Sequence, residues 1–186
     1  MNNSATTRII SKIALEYNGN DKGMAELAAV NFLLSSNPED QFHEMKIVAD
    51  RNSNVEKWAL TGYISPPEEI GKSLSDEELT DIAIEALKKV GVTDLNQFRL
   101  DIHNSTKQKH IHFVVNRMNI HGKCTVKSRK IGERFGEAVR QICQERNLKT
   151  DVEIGIEKKA EMLKNLTESL RPSNNFEELI SKMRAK

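Results

Sequence analysis

The chain has 186 residues, 38% of them apolar and 30% charged, with a mean hydropathy of −0.56 and a formal net charge of +1. That length suffices for one domain with a real core, with or without a small appendage. No apolar run approaches the ~18 residues of a membrane span, MNNSATTRII lacks the apolar centre of a signal peptide, and Cys124 and Cys143 lack CxxC spacing, so membrane and disulfide-scaffold classes are set aside and a cytoplasmic protein with reduced thiols is expected.

In chain order, residues 5–15 (ATTRIISKIAL) are rich in β-branched side chains and leave strand and helix open; they lead into Tyr17 and the turn-like Asn18-Gly19-Asn20-Asp21. Lys22–Leu34 (KGMAELAAVNFLL) reads as a helix ended by Ser35-Ser36-Asn37-Pro38, and Phe42, Met45, Val48 and Ala49 predict a second over 39–50. Lys57–Ser65 (KWALTGYIS) reads as a strand stopped by Pro66-Pro67, with Tyr63 as a core residue of its apolar run. Next, Ser75 and Glu78 form a capping box, Leu79, Ile82, Ala83, Ala86 and Leu87 an apolar stripe, and Gly91 a helix-ending residue. Gln97–His103 (QFRLDIH) and Lys109–Asn119 (KHIHFVVNRMN) alternate as strands, joined into a hairpin by the polar stretch 104–108. Helices are expected over about 130–146, 156–170 and 175–185. This order predicts an α+β domain over 1–150 with helices packed on a central antiparallel sheet, followed by a helical tail over 151–186.

The neutral total conceals opposed halves. Residues 36–98 hold 6 Lys/Arg against 13 Asp/Glu, and residues 99–149 hold 12 against 4. One strongly basic face is therefore possible without loss of solubility. The basic helix region Lys127–Arg140, with Lys127, Arg129 and Lys130 at its start, is expected to follow a phosphate backbone, which gives salt-dependent affinity but no sequence code.

Three of the five histidines fall in His103-x6-His110-x-His112. Alternation along a strand puts His110 and His112 on one face, and the hairpin brings His103 to the same point, with Arg99 and Asp101 beside it. Three imidazoles leave coordination positions open, the arrangement of a catalytic divalent metal rather than a structural one. Beside a basic surface, such a cation suits a phosphodiester, attacked either by water or by a side chain. A side-chain nucleophile that holds DNA covalently has two tyrosine candidates, Tyr17 and Tyr63. A free phenol ionises near pH ~10, so the site must help remove its proton. Asp101 is the candidate base, or equally a partner that orients a histidine ring.

Three ordered motifs resemble the relaxase/mobilisation nuclease family of conjugative and mobilisable elements, part of the HUH endonucleases. The most specific is His103-x6-His110-x-His112-x3-Asn116-Arg117, followed by a Gly122-Lys123 turn. Ser65 and the Ser75–Glu78 helix start sit where that family's second motif lies. SKIALEYNGNDKGMAEL resembles the first, with Tyr17 in the nucleophile's place and Lys22 after it. The likeness runs over residues 8–150.

The resemblance implies strand-specific nicking at a transfer origin by transesterification. A tyrosine oxygen attacks the phosphate, leaving a free 3′-OH and a 5′-phosphotyrosine link that conserves the bond energy for rejoining. Tyr17 would be the nucleophile, and His103, His110 and His112 the ligands of Mg²⁺ or Mn²⁺. An all-imidazole site also accepts other first-row metals. Ser65, Asn116, Lys22, Arg117 and Lys123 would join Lys127, Arg129 and Lys130 in supporting the site or contacting DNA. The partners implied are single-stranded origin DNA, accessory mobilisation proteins and a coupling protein. One position departs from the pattern: where the family often has an acid, two residues after the first histidine, this chain has Ser105. A rolling-circle replication initiator and a non-cleaving DNA-binding mobilisation protein are the alternative readings.

Overall fold

The computed structural model describes residues 1–20, 24–104 and 108–185, which divide into two compact units, Met1–Leu148 and Lys149–Lys186. Lys22 and Ser105, and with Ser105 the connection expected at 104–108, lie wholly or partly outside the described residues.

The first unit runs β1 (Asn2–Arg8), α1 (Lys12–Asn18), β2 (Ala25–Asn31), α2 (Pro38–Ala49), β3 (Ala59–Ser65), α3 (Glu68–Ser73), α4 (Asp76–Lys89), β4 (Asn96–His103), β5 (His110–Asn119) and α5 (Ile131–Glu145). The five strands form one antiparallel sheet in the order β1-β3-β5-β4-β2. The α+β expectation is met.

Period-two alternation explains how the two faces of the sheet differ. Leu60, Ile64, Leu100, Ile102, Ile111, Phe113 and Val115 lie in one buried cluster with the α4 stripe and with Ile131, Phe135, Val139 and Ile142 of α5. The Phe113 and Phe135 rings meet at 5.1 Å, adding about 1 kcal/mol beyond their burial. On the opposite face an apolar cluster sits at one end, where Ala59, Val114 and Met118 pack with Leu15 of α1 and Met45, Val48 and Ala49 of α2. At the other end that face carries His103, His110 and His112.

Local signals were obeyed where the sequence stated them plainly. Ser75 and Glu78 close a reciprocal capping box on α4, Asn37 accepts from the Glu39 and Asp40 amides with Pro38 opening α2, and Gly91 takes φ +108 after α4. The Cβ of any other residue at Gly91 would meet the Thr125 carbonyl oxygen at 2.8 Å.

The helix expected over Lys22–Leu34 is corrected: Ala25–Asn31 is the edge strand β2, paired with β4 through a bulge between Leu27 and Ala29. AELAAVN has good helix formers, but extended pairing lets the Asn31 side-chain Nδ2 donate to the Asp94 and Asn96 carbonyls and brings Ala28 and Ala29 against the core. Those non-local gains outweigh intrinsic preferences of under about 1 kcal/mol per residue. Residues 5–15 resolve into the end of β1 and most of α1, and α3 is a short helix that the periodicity does not announce.

The second unit contains α6 (Asp151–Leu170) and α7 (Phe176–Arg184). A second capping box, Thr150 with Glu153, starts α6 earlier than the apolar spacing indicated. The Thr150 amide and hydroxyl, both donating to the Glu153 carboxylate, hold that carboxyl below its ordinary range. Among the described residues no helix is long and apolar enough to cross a membrane.

Candidate active site

The β4–β5 register sets the three histidines. His103 pairs with His110 and Asp101 with His112, so all four side chains stand on the same sheet face. Ring centroids are 4.5 Å apart for His103–His112, 4.9 Å for His110–His112 and 5.1 Å for His103–His110. One ring nitrogen from each lies within 4.8 Å of the others, close enough for a single cation to engage all three. His103 is buried, and His110 and His112 are half-buried.

Hydrogen bonds orient two of the rings. His103 Nε2 lies 2.6 Å from the Asn18 carbonyl oxygen, and His110 Nδ1 lies 3.0 Å from that of Gln108. A carbonyl only accepts, so those nitrogens carry the proton. With those nitrogens donating, His103 Nδ1 and His110 Nε2 are the positions through which these rings would engage a cation. The donor set fits a first-row divalent metal with coordination positions to spare.

The Asn18 contact also fixes the end of α1, and Tyr17 is the preceding residue. Its side chain is 71% exposed and lines a cleft of ≈520 Å³ between α1 and the sheet, whose walls include Thr61, Tyr63 and His112. α1 is held at its other end by Lys12, paired with Glu39 of α2 at 2.6 Å. That pairing raises the Lys12 ammonium and lowers the Glu39 carboxyl relative to their ordinary ranges.

Beneath the histidines, the Arg99 guanidinium donates three bonds of 2.7–2.9 Å to Asp101 and a fourth, of 2.8 Å, to Gln41. Arg99 is 5% and Asp101 1% exposed. Gly19 rests on this pair, since a Cβ there would stand 2.6 Å from an Arg99 nitrogen. A carboxylate committed to a buried guanidinium is poorly placed to accept a phenol proton. Asp101 pairs across the strands with His112.

The remaining sequence candidates separate. Ser65 stands beside the triad, in a ≈320 Å³ cleft with Asn2, Tyr63, Gln108, His110 and His112. Asn116 and Arg117 are buried and structural. Asn116 donates to the Met45 carbonyl and the Gln97 side chain, and Arg117 donates to the Val126 and Lys57 carbonyls. Both side chains are turned into the protein, away from the surface where DNA contacts were expected. Lys123, Lys127, Arg129 and Lys130 are exposed but follow the far end of β5, whose nine steps from His110 to Asn119 span about 30 Å. Lys127, Arg129 and Lys130 line a separate basic cleft of ≈730 Å³ with Lys88, Lys89 and Arg134.

Tyr63 is not the core residue expected from its apolar run. It is 37% exposed, on the histidine face, with its ring 6.0 Å from that of His112. The signal was present in the alternation of β3, where Thr61, Tyr63 and Ser65 fall opposite Leu60 and Ile64. The Asn18 carbonyl and Gln41 were invisible to motif reading, because their roles arise from chain segments far apart in sequence.

A family model described as "Relaxase: MobA/VirD2-like, nuclease domain" matches residues 17–148. No curated protein and no solved structure gives a significant match.

Proposed function

Because the chain belongs to the MobA/VirD2-like relaxase family, matched through its nuclease domain over residues 17–148, we propose that it nicks one DNA strand at a transfer origin through a covalent tyrosine link. The observation that carries this reading is the junction at His103. One imidazole belongs to the triad and also bonds the carbonyl next to Tyr17, and a second member of the triad, His112, borders the same cleft as the phenol.

His103, His110 and His112 would hold the divalent cation, which supplies charge neutralisation at the scissile phosphate. The Tyr17 oxygen attacks phosphorus, the new O–P bond replaces the bond to the 3′ oxygen, and the strand is left with a 3′-OH. The proton count closes: the phenol gives up one proton and the departing 3′ oxygen gains one. Asn18 and Gly19 hold the end of α1 against the sheet, and the Arg99–Asp101 pair fixes the strand from which His103 projects. Ser65 lines the cleft on the far side of His112 from Tyr17, where it meets the strand as it leaves the reacting phosphate. The basic cleft at the other end of the sheet takes phosphates of flanking DNA. Residues 1–150 form the nuclease domain in this reading, and 151–186 a helical tail available to accessory mobilisation proteins or a coupling protein.

Incubation of the full chain with labelled single-stranded origin DNA and Mn²⁺ should yield a denaturant-resistant protein–DNA band. Tyr17→Phe should abolish that band while leaving Mn²⁺ and DNA binding intact; an unchanged yield removes Tyr17 from the mechanism. A protein that had lost cleavage would show no tight divalent site in calorimetry.

A further inference from the structure

We infer that Tyr63 is a positioning residue for the DNA strand: its ring divides the histidine face into two clefts and stacks a base of the strand crossing from one to the other. The inference rests on the reading of the site as a single-strand nuclease. The cleft that contains Tyr17 and the cleft that contains Ser65 share two lining residues, Tyr63 and His112. The β3–β5 register pairs those two residues directly, so the divider stands beside a member of the triad. Along β3, Thr61 opens into the first cleft and Ser65 into the second, each two residues, about 7 Å, from Tyr63 on the same face. That separation matches the spacing of consecutive phosphates in an extended single strand. A phosphate at the triad therefore has one neighbouring nucleotide on each side of the Tyr63 ring.

The chemistry of the surroundings favours a base over a charged group. The Tyr17 cleft is walled by Ile10, Ile13, Ala14 and Val114 with scattered hydroxyls, and Arg8 is its one cationic lining residue among those described. Few other aromatic rings stand on this face: Trp58 and Phe42 pack together at 6.1 Å toward the α2 end, and Phe113 lies in the opposite core. Stacking on a π-face tolerates any base, so Tyr63 would contribute affinity and placement without a sequence code.

The test measures anisotropy of a fluorescein-labelled oligothymidylate on the full chain with Mn²⁺ at fixed salt. Tyr63→Phe, which keeps the ring, should bind within about twofold of the parent, and Tyr63→Leu should bind about tenfold more weakly with unchanged Mn²⁺ affinity. Equal binding by the leucine variant overturns the inference, as does an equal loss in both variants. Loss of the covalent band in Tyr63→Phe with binding intact also overturns it, by making Tyr63 a second nucleophile. Should Tyr63→Leu fail to bind Mn²⁺, Tyr63→Trp decides the matter: quenching of the new indole by added oligothymidylate supports stacking, and its absence refutes it. The covalent band of the unaltered protein tests the nuclease reading separately, so the two failures are distinguishable.

Discussion

The buried Arg99–Asp101 pair makes the sharpest demand on the proposed site. Removing either charge leaves the other in a place that is about 5% exposed or less, with its oxygens or nitrogens stripped of their partner. Breaking such a pair costs about 3–5 kcal/mol, whereas replacing both members by apolar side chains of similar volume is often neutral. Arg99→Leu and Asp101→Leu should therefore each lower the thermal midpoint by roughly 6–20 °C, at about 2–4 °C per kcal/mol for a chain of this size. The double variant should recover most of the loss. Circular dichroism melts at neutral pH measure the three stabilities, and single-turnover formation of the covalent DNA band on the double variant measures the chemistry. If Asp101 only supports the strand, the double variant should keep adduct formation within about one order of magnitude. A general base is worth about 10²–10⁴-fold. A double variant as stable as the parent but slower by that factor would refute the structural role assigned here and restore Asp101 as the proton acceptor.

Replacing any one triad histidine by alanine should weaken Mn²⁺ binding by more than the ~10–100-fold typical of losing an outer partner, as titration calorimetry would show. Gly62→Ala should cost about 3 kcal/mol or more in urea unfolding, because a Cβ there would lie 2.0 Å from the Ser4 carbonyl oxygen and 2.5 Å from the Phe113 ring. Lys12 holds the Glu39 carboxyl below its ordinary 4.5, so this pair's stabilisation is present above pH 4.5 and is lost as pH falls through the lowered value. Glu39→Gln should accordingly flatten the acid limb of a stability–pH profile and, because the same pair raises Lys12 above its ordinary 10.5, also remove the part of the alkaline loss that sets in above that value. Charge reversal at Lys127, Arg129 and Lys130 should weaken DNA binding evenly across sequences and shallow its salt dependence without altering Mn²⁺ affinity.

Much of the fold was legible because its signals are local. The capping box at Ser75, the stripe of α4, the alternation of QFRLDIH and KHIHFVVNRMN and the positive-φ Gly91 each depend on a few neighbouring residues. The histidine triad was legible for the same reason, since an HxH on one strand and a histidine at the end of its hairpin partner nearly fix their common face. β2 was not legible, because an edge strand of alanine, leucine and glutamate is extended only when a partner strand supplies its hydrogen bonds.

Sequence by itself put forward the residues proposed to carry the chemistry, three imidazoles and two phenols, together with a family signature that the family match places over residues 17–148. Tertiary structure alone decided which of them stand together. It buried Asn116 and Arg117, committed Asp101 to Arg99, and carried the Lys127–Lys130 cluster to the far end of the sheet. It also set Asn18 against His103 and Tyr63 against His112, contacts between segments 85 and 49 residues apart. Alternation and capping are settled by neighbours along the chain, but burial and strand register are settled by whichever arrangement covers the most apolar surface at once, and no single segment holds that information.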